Sequence, residues 1–555
     1  MQISKKTFLL ILTTMFTLAM HFYASNTGGE ALQLPFNAIT LAFTSLLVLI
    51  AFSNINQSGI KYDEFSKALF FFIPLIMLPY FWSDFYQGLS ESLRFIAILL
   101  GSLLYLSLLQ IDKSKSFYLK LLLLITVASL IEGLLSLYQY YLFTSYFYNF
   151  DLSYGRPYGV FQQPNVLASF LVTGLSVSLF ILSQYINLTN KIKAFLYFNS
   201  LISIWVTLLC ESRIGYITLG VVILFYLLTQ VRNKNLKKIL LLLILLSSSL
   251  TYTLPYKGEA DDQGRKYSAT DAGSRIYIYE DTLNLILKKP ILGYGYGSFH
   301  NALLGQSAIE AEQRNNTNIA KSVAHPHNEL LYWYIEGGVV TLIAFLLLIT
   351  ALAKSIFHTK KRVRGKLLLL LVPILFHLQV ELPFYHSIPH FIVFIILLAF
   401  INSKSGNISH YVTSKKVISA IKILTLILFI LVTVFSISAI HTSKQVFNYV
   451  KTQNYQYLNA IINPVSDFKS INILSKSTVI EEAILTNNRA KLIELVNWSN
   501  EFLSVYPSAY LRYEKIRMLK QLGSLKLAEN EIKIAKFLYP QYIEVWNTGV
   551  WLNNS

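Results

Sequence analysis

Long apolar runs recur along the whole chain, and this restricts the possible folds more than any motif does. A helix needs about 20 residues to cross the hydrocarbon layer of a bilayer. Thirteen runs approach that length, at approximately 7–24, 36–53, 66–82, 93–110, 118–138, 166–185, 195–210, 214–231, 238–255, 330–353, 367–384, 388–402 and 417–440. The expectation is an all-α polytopic membrane protein with about thirteen transmembrane helices. Composition agrees: 54% of the 555 residues are hydrophobic and 14% are charged, where a soluble domain carries about 25% charged residues. The start, Lys5-Lys6 followed by Thr7 to Met20, imitates a signal peptide, but no small-x-small cleavage site follows and the topology closes only if the segment stays.

Charge supplies the orientation. The formal net charge of +18 would suit a nucleic-acid partner, yet the basic residues fall in short loops rather than on one face, so no nucleic acid is expected. Alternate loops hold Lys61 and Lys67; Lys113, Lys115 and Lys120; Lys191 and Lys193; Arg232, Lys234, Lys237 and Lys238; Lys354 to Lys366; and Lys404, Lys415 and Lys416. With Lys5 and Lys6 these mark the cytoplasmic side, and an odd number of spans leaves the C-terminal region outside. The resulting segments are 1–255 (N-terminal spans), 256–329 (a large outward loop), 330–443 (C-terminal spans) and 444–555 (an outward helical domain). Cys210 is the only cysteine and lies in an apolar run, which excludes disulfides and thiolate metal clusters within one chain.

The outward side gathers the chemistry. His325-Pro326-His327-Asn328-Glu329 closes the large loop directly before the run at Leu330. Imidazole alone among side chains titrates near neutrality, so it can take a proton from a hydroxyl and make it a nucleophile. The plainer reading is a turn in which Pro326 fixes the backbone and Asn328 caps the next helix. Were the substrate a sugar carried on a lipid pyrophosphate, the leaving group would need cations, and arginine suits phosphate oxygens through its planar fork. Arg156, Arg213 and Arg275 are the outward candidates, each beside glycine or serine. Around them lie Tyr154-Gly155-Arg156-Pro157-Tyr158-Gly159, Gln162-Gln163-Pro164-Asn165, and a possible short interfacial helix from Ile276 to Leu287. The glycine-rich Gly293-Tyr294-Gly295-Tyr296-Gly297 suits a tight turn that lets a ligand approach the backbone. Glu259, Asp261 and Asp262 are the nearest approach to a hard-cation site but sit among basic residues, so a metal-free mechanism fits better. Two intramembrane acids stand out: Glu336 reads as structural, whereas Glu381, spaced at helical intervals with His377 and Tyr385, reads as near the site.

Beyond Lys444 the sequence turns soluble and helical. Tyr506-Pro507 recurs as Tyr539-Pro540 after 33 residues, and Leu519, Gly523, Ala528 and Ala535 have the small and turn residues of a tetratricopeptide-like (TPR-like) unit.

His327-Asn328, nine residues, Gly338, Val339-Val340 and Thr341 resemble the signature of the O-antigen ligase and polymerase superfamily (WaaL/Wzy-like). Ser212-Arg213-Ile214-Gly215, Arg275, Pro290 to Gly295 and Gln163-Pro164-Asn165 are similar to further segments of it. Glu381-Leu382-Pro383-Phe384-Tyr385-His386-Ser387 and the outward C-terminal domain look most like the bacterial protein O-oligosaccharyltransferases of the PglL type, the pilin glycosylation ligases. The resemblance implies a GT-C-like O-antigen ligase fold in the bacterial inner membrane with its active site facing the periplasm. It implies transfer of a preassembled glycan from undecaprenyl pyrophosphate to serine or threonine of a periplasmic, pilin-like protein, with no metal and no other cofactor. His327 would be the general base, with His325 as its support or substitute; Arg213, Arg275 and Arg156 would hold the pyrophosphate. Asn328, Gln163, Asn165, Glu381 and Tyr385 would support them. The same chemistry fits a ligase that attaches O-antigen to lipid A-core, or an O-antigen polymerase. A lipid-linked glycan flippase or transporter is the alternative of another class; it should show related halves with ionisable groups at the midplane, and the conspicuous residues crowd the outward face instead.

Overall fold

In a computed structural model of the chain the described residues are 5–55, 59–84, 92–111, 114–142, 155–229, 234–254, 262–316, 322–405 and 408–551, with only the backbone described over 262–274. Nine helices among them are long and apolar enough to cross a membrane: Pro35–Ser53, Glu64–Trp82, Ser92–Ile111, Lys115–Leu142, Pro164–Gln184, Asn190–Leu209, Lys234–Thr253, Glu329–Phe357 and Lys415–Thr452. The chain is a mostly helical, polytopic membrane protein. Helix is not the sole element, because Ile60–Tyr62 pairs antiparallel with Ser409–Tyr411, placing Lys61 opposite His410.

Four of the thirteen expected runs are not continuous helices of that length. The first is the 13-residue helix Lys5–Thr17 followed by a 3-10 turn at Ala19–His21. Two more are the shorter apolar helices Arg213–Thr229 and Ile388–Asn402. The interval 367–384 is not continuous: the helix Lys361–Leu369 stops, Val372–His377 forms a short helix, and Pro383–His386 forms a single turn. Proline lacks the N–H that continues a helix: Pro373 cannot donate to Leu369, whose carbonyl takes the Ser176 hydroxyl instead, and before Pro383 the backbone of Leu382 leaves the α region (φ −113°, ψ 69°).

The chain forms two compact units. The first comprises Met1–Ile73, Arg94–Ser268 and Phe345–Gln453. Its centre is the Pro164–Gln184 helix, buried at nearly every position from Pro164 to Ile181. Small and hydroxylated residues allow this: a Cβ on Gly174 would overlap Ser129, Ser178 accepts from Asn199 Nδ2 at 2.9 Å, and Ser176 donates to the Leu369 carbonyl at 3.0 Å. Val172, Leu175 and Leu179 pack there against Ile204, Leu219 and Val222. Ile423, Leu424, Ile430, Leu431 and Val434 of the Lys415–Thr452 helix stay exposed, as a lipid-facing surface requires.

The second unit comprises Pro74–Leu93, Ala269–Ala344 and Asn454–Ser555. Within the large loop a helix Asp262–Lys288, longer than the expected Ile276 to Leu287, leads through the glycine loop to the helix Phe299–Gln313. Helices Phe468–Leu485, Arg489–Val505, Ala509–Gln521 and Leu525–Leu538 follow as antiparallel neighbours. Tyr506-Pro507-Ser508 and Gly523 (φ 75°) make the turns, and Asn488 and Ser508 cap the helices that follow them. Leu304 shares a core with Ala535, Tyr539 and Trp546, and Asn301 Nδ2 donates to the carbonyls of Ser504 (2.7 Å) and Val505 (2.9 Å).

Candidate functional site

Within the second unit the histidine loop is held by its own backbone. His327 takes the left-handed conformation (φ 53°), which brings its ring edge-on to His325 with centroids 4.5 Å apart. The bend lets the His327 N–H donate to Nδ1 of His325 at 3.2 Å. An accepting Nδ1 carries no proton, so His325 is neutral here, with its hydrogen on Nε2. His325 thereby shapes the turn. Asn328 Oδ1 accepts from the Leu331 N–H at 3.0 Å and caps the next helix, as its position predicts.

A second contact fixes the loop from outside. Tyr279 O–H donates to the His327 carbonyl at 3.3 Å. Half-buried Arg275 lies one turn earlier on the same helix, so it shares the face that meets the histidine loop.

The glycine loop has another job than the one its composition suggests. Gly338 breaks its helix with φ 64° and ψ −159°, and the glycine loop bonds to the exposed backbone. Tyr294 N–H donates to Ile335 O and Gly295 N–H to Glu336 O, both at 2.9 Å, while Val339 N–H donates to Ile291 O at 3.0 Å. Fully buried Glu336 completes the strap, because its Oε1 accepts from Gly297 N–H (2.9 Å) and Phe299 N–H (3.4 Å). Trp82 Nε1 donates to Leu292 O, and the Ser83 hydroxyl oxygen accepts from Tyr296 N–H. These glycines therefore let backbone approach backbone rather than a ligand, and Glu336 is structural.

In the first unit three of the expected residues meet directly. Gln163 Nε2 donates to Glu381 Oε2 at 3.1 Å and Asn165 Nδ2 to Glu381 Oε1 at 2.8 Å. His377 Nε2 lies 3.2 Å from Glu381 Oε2. The single helical face expected for His377, Glu381 and Tyr385 is not formed beyond the first pair. Glu381 sits in the break before Pro383, and Tyr385 turns to Arg94, whose guanidinium reaches its hydroxyl at 3.5 Å. Behind His377 the polar contacts continue inward. Its Nδ1 lies 2.8 Å from Ser169 Oγ, which is 3.1 Å from His390 Nε2, and His390 Nδ1 is 2.8 Å from Ser387 Oγ. Ser169, His377, Ser387 and His390 are all fully buried.

A further buried pair shapes the loop that carries Arg156 and Gln163. His21 Nδ1 lies 2.6 Å from Glu132 Oε1, while Glu132 Oε2 accepts from Val160 N–H at 3.3 Å. Gln139 Oε1 accepts from the N–H groups of Tyr158 and Gly159, each at 3.0 Å. Gly159 (φ 59°) has no room for a Cβ beside Glu132. Pro157 presents its carbonyl to Cys210 Sγ at 3.6 Å, so the Arg156 segment adjoins the corner Cys210–Arg213. There Ser212 Oγ accepts from Gly215 N–H at 3.1 Å, Glu211 has φ 47°, and Arg213 is exposed at its helix start. Arg156 and Arg213 thus occupy adjoining segments of the first unit, whereas Arg275 belongs with the histidines in the second.

Sequence reasoning passed over His21, Glu132, Ser169 and His390, and noted Ser387 only as part of the segment that begins at Glu381. Glu132 did carry a signal, being an acid inside an apolar run. Tyr154, Glu259 and Asp261 lie outside the described residues, as does the side chain of Asp262.

Comparison with known proteins adds the family. The O-Antigen ligase family matches residues 198–346, "Virulence factor membrane-bound polymerase, C-terminal" matches 366–554, and "Protein glycosylation ligase" matches 157–182. These matches support the O-antigen ligase and PglL-like superfamily. A ComP-specific O-oligosaccharyltransferase of Acinetobacter baylyi is 24% identical over 73% of this chain and 74% of its own. A provisionally named polysaccharide ligase of Rickettsia conorii is 29% identical over 27% of this chain and 37% of its own. A counterpart in Rickettsia felis is 34% identical over 22% of this chain and 30% of its own. The chain thus spans well under half of each Rickettsia relative.

Proposed function

We propose that the protein is an O-linked oligosaccharyltransferase that moves a preassembled glycan from undecaprenyl pyrophosphate to a serine or threonine of a periplasmic, pilin-like protein. The observation that carries this reading is the similarity to an O-oligosaccharyltransferase along roughly three quarters of both chains. In this reading His327 takes the proton from the acceptor hydroxyl. The freed oxygen bonds to the anomeric carbon, the bond from that carbon to pyrophosphate breaks, and the lipid pyrophosphate leaves with the electron pair. Attack from the face opposite the leaving group inverts the anomeric centre. Arg213, Arg275 and Arg156 supply the cations for the leaving charge, so the route draws on guanidinium groups rather than a metal. His325, whose Nδ1 holds the turn, is assigned to support. Asn328 holds the start of the following helix, and Gln163, Asn165, Glu381 and Tyr385 complete the supporting set.

The proposed setting is the bacterial inner membrane, with these residues on the periplasmic side. Segments 1–255 and 330–443 supply the spans, 256–329 the periplasmic loop, and 444–555 a TPR-like helical domain. The Tyr-Pro turns closing the helices Arg489–Val505 and Leu525–Leu538 support the repeat reading.

A second reading rests on the O-Antigen ligase and polymerase family matches: the same donor chemistry with lipid A-core, or a growing lipid-linked chain, as the acceptor. Purified protein given lipid-linked glycan together with a pilin-like protein and lipid A-core separates the two. Mass spectrometry should find the glycan on the protein. Glycan found on lipid A-core or on the lipid-linked chain instead would overturn the protein acceptor.

A further inference from the structure

Glu381 is fed by three nitrogen donors, and an ionised carboxylate can only accept. That settles how Gln163 and Asn165 stand. Each amide must turn its NH2 toward Glu381, so each carbonyl oxygen is presented on the opposite side. The carbonyl oxygen of Gln163 is solvent-inaccessible, and no donor reaches it among the described residues. A buried acceptor left in that state is costly, which makes the position receptive to an O–H or N–H brought by a ligand. An anionic phosphate is the wrong partner, since it would add charge beside Glu381 and offer no donor.

The contacts behind Glu381 form one continuous buried chain. Ser387 Oγ lies 2.8 Å from His390 Nδ1, His390 Nε2 3.1 Å from Ser169 Oγ, Ser169 Oγ 2.8 Å from His377 Nδ1, and His377 Nε2 3.2 Å from Glu381 Oε2, while the Ser169 hydroxyl also reaches the Val166 carbonyl at 3.1 Å. The buried chain therefore fixes the position of the Glu381 side chain, and Glu381 orients the two amides.

We infer that the Gln163 and Asn165 carbonyl oxygens, oriented by Glu381 and the buried Ser387–His390–Ser169–His377 chain, form a subsite for a neutral hydrogen-bond-donating group of a substrate. The class is a hydroxyl or an amide N–H. It comes either from the sugar of the lipid-linked glycan or from the acceptor protein, and the subsite thus deepens the proposed transferase reading and rests on it for the identity of the substrates. Glu381, His377, Ser169, His390 and Ser387 are positioning residues here; Gln163 and Asn165 are the groups that touch.

Variants of the full-length protein in detergent test the subsite, with undecaprenyl-pyrophosphate oligosaccharide and a pilin-like protein as probes. Gln163→Met keeps the length and removes the carbonyl; Glu381→Gln keeps the shape and allows an amide to turn. Native mass spectrometry reads binding of each probe, steady-state transfer reads KM and kcat, and thermal unfolding reads the fold. Both variants should weaken binding of one probe and raise its KM by about fivefold or more, the scale of one lost hydrogen bond, with kcat less affected. The probe that weakens identifies the source. Glu381→Asp should restore part of the loss, because it still only accepts. Should Glu381→Gln fail to fold, Gln163→Met carries the test, since its side chain lies outside the fully buried chain. Wild-type binding of both probes by a folded Gln163→Met protein would overturn the subsite. A wild-type protein that binds the probes yet transfers nothing would sink the transferase reading instead, while a Gln163→Met binding defect would still stand.

Discussion

His300 cannot take up a proton without loss to the fold around it. Burial, with Lys469 adding to it, holds its ring neutral and pulls its pKa from 6.5 to about 3, and Nε2 sits 2.9 Å from Ser322 Oγ. A folded pKa below the unfolded one means stability that is fully present above pH 6.5 and is lost as pH falls toward 3. Asp281 on the neighbouring helix has the opposite sign: burial pushes it from 3.8 up to about 6, so its contribution fades as pH rises through that interval. The raw pH curve mixes the two, and the difference between wild type and His300→Gln isolates one. The melting-temperature gap between them should shrink from about pH 7.5 to about pH 4; a constant gap would count against a buried neutral ring. Residues of this kind show how far the sequence could be read. His325, His327 and Asn328 declared themselves through spacing, and Gln163, Asn165 and Glu381 through local pattern. His390 and Ser169 gave no such signal, because each is one polar residue in an apolar run and only packing brings them together.

At the scale of elements, the broken helix at Gly338 is the joint on which the glycine loop hangs. Its backbone lies where glycine is nearly the sole occupant, and a Cβ there would overlap the Ile291 carbonyl. Gly338→Ala should therefore cost about 3 kcal/mol or more and appear as a large fall in melting temperature. Gly305→Ala, in the open helix Phe299–Gln313 with nothing near its Cβ, should be neutral or stabilising by up to about 1 kcal/mol. Equal effects would mean that the break is not held as described. Hydropathy found where the long spans lie, because twenty apolar residues leave a strong imprint. It overran at 7–24 and 367–384, where a chain can stay apolar while leaving the helix. Proline gave the second of these away, and counting hydrophobic residues alone hid it. The strap from Tyr294 to Val339 was illegible for a different reason: its glycines were visible, but the backbone hydrogen bonds that join the two segments leave no pattern in the sequence.

At the scale of the molecule, the chain leaves and re-enters its compact units, so the C-terminal helices share a unit with the Phe299–Gln313 helix and the histidine loop. Leu304 is buried by Ala535, Tyr539 and Trp546, and Asn301 bonds to the end of the Arg489–Val505 helix. Removing 454–555 should accordingly raise hydrogen exchange through Phe299–Gln313. Exchange unchanged in that helix would make the C-terminal helices an independent appendage. The central claim is narrower than the fold: His327 accepts the proton of the incoming hydroxyl. The most direct measurement is mass-spectrometric quantification of glycan transferred by wild type and by His327→Ala, with binding of the lipid-linked donor followed in the same samples. The account predicts that donor binding survives while transfer falls by at least about a hundredfold, the usual weight of a general base. Transfer at the wild-type rate by a folded, donor-binding His327→Ala protein would contradict it.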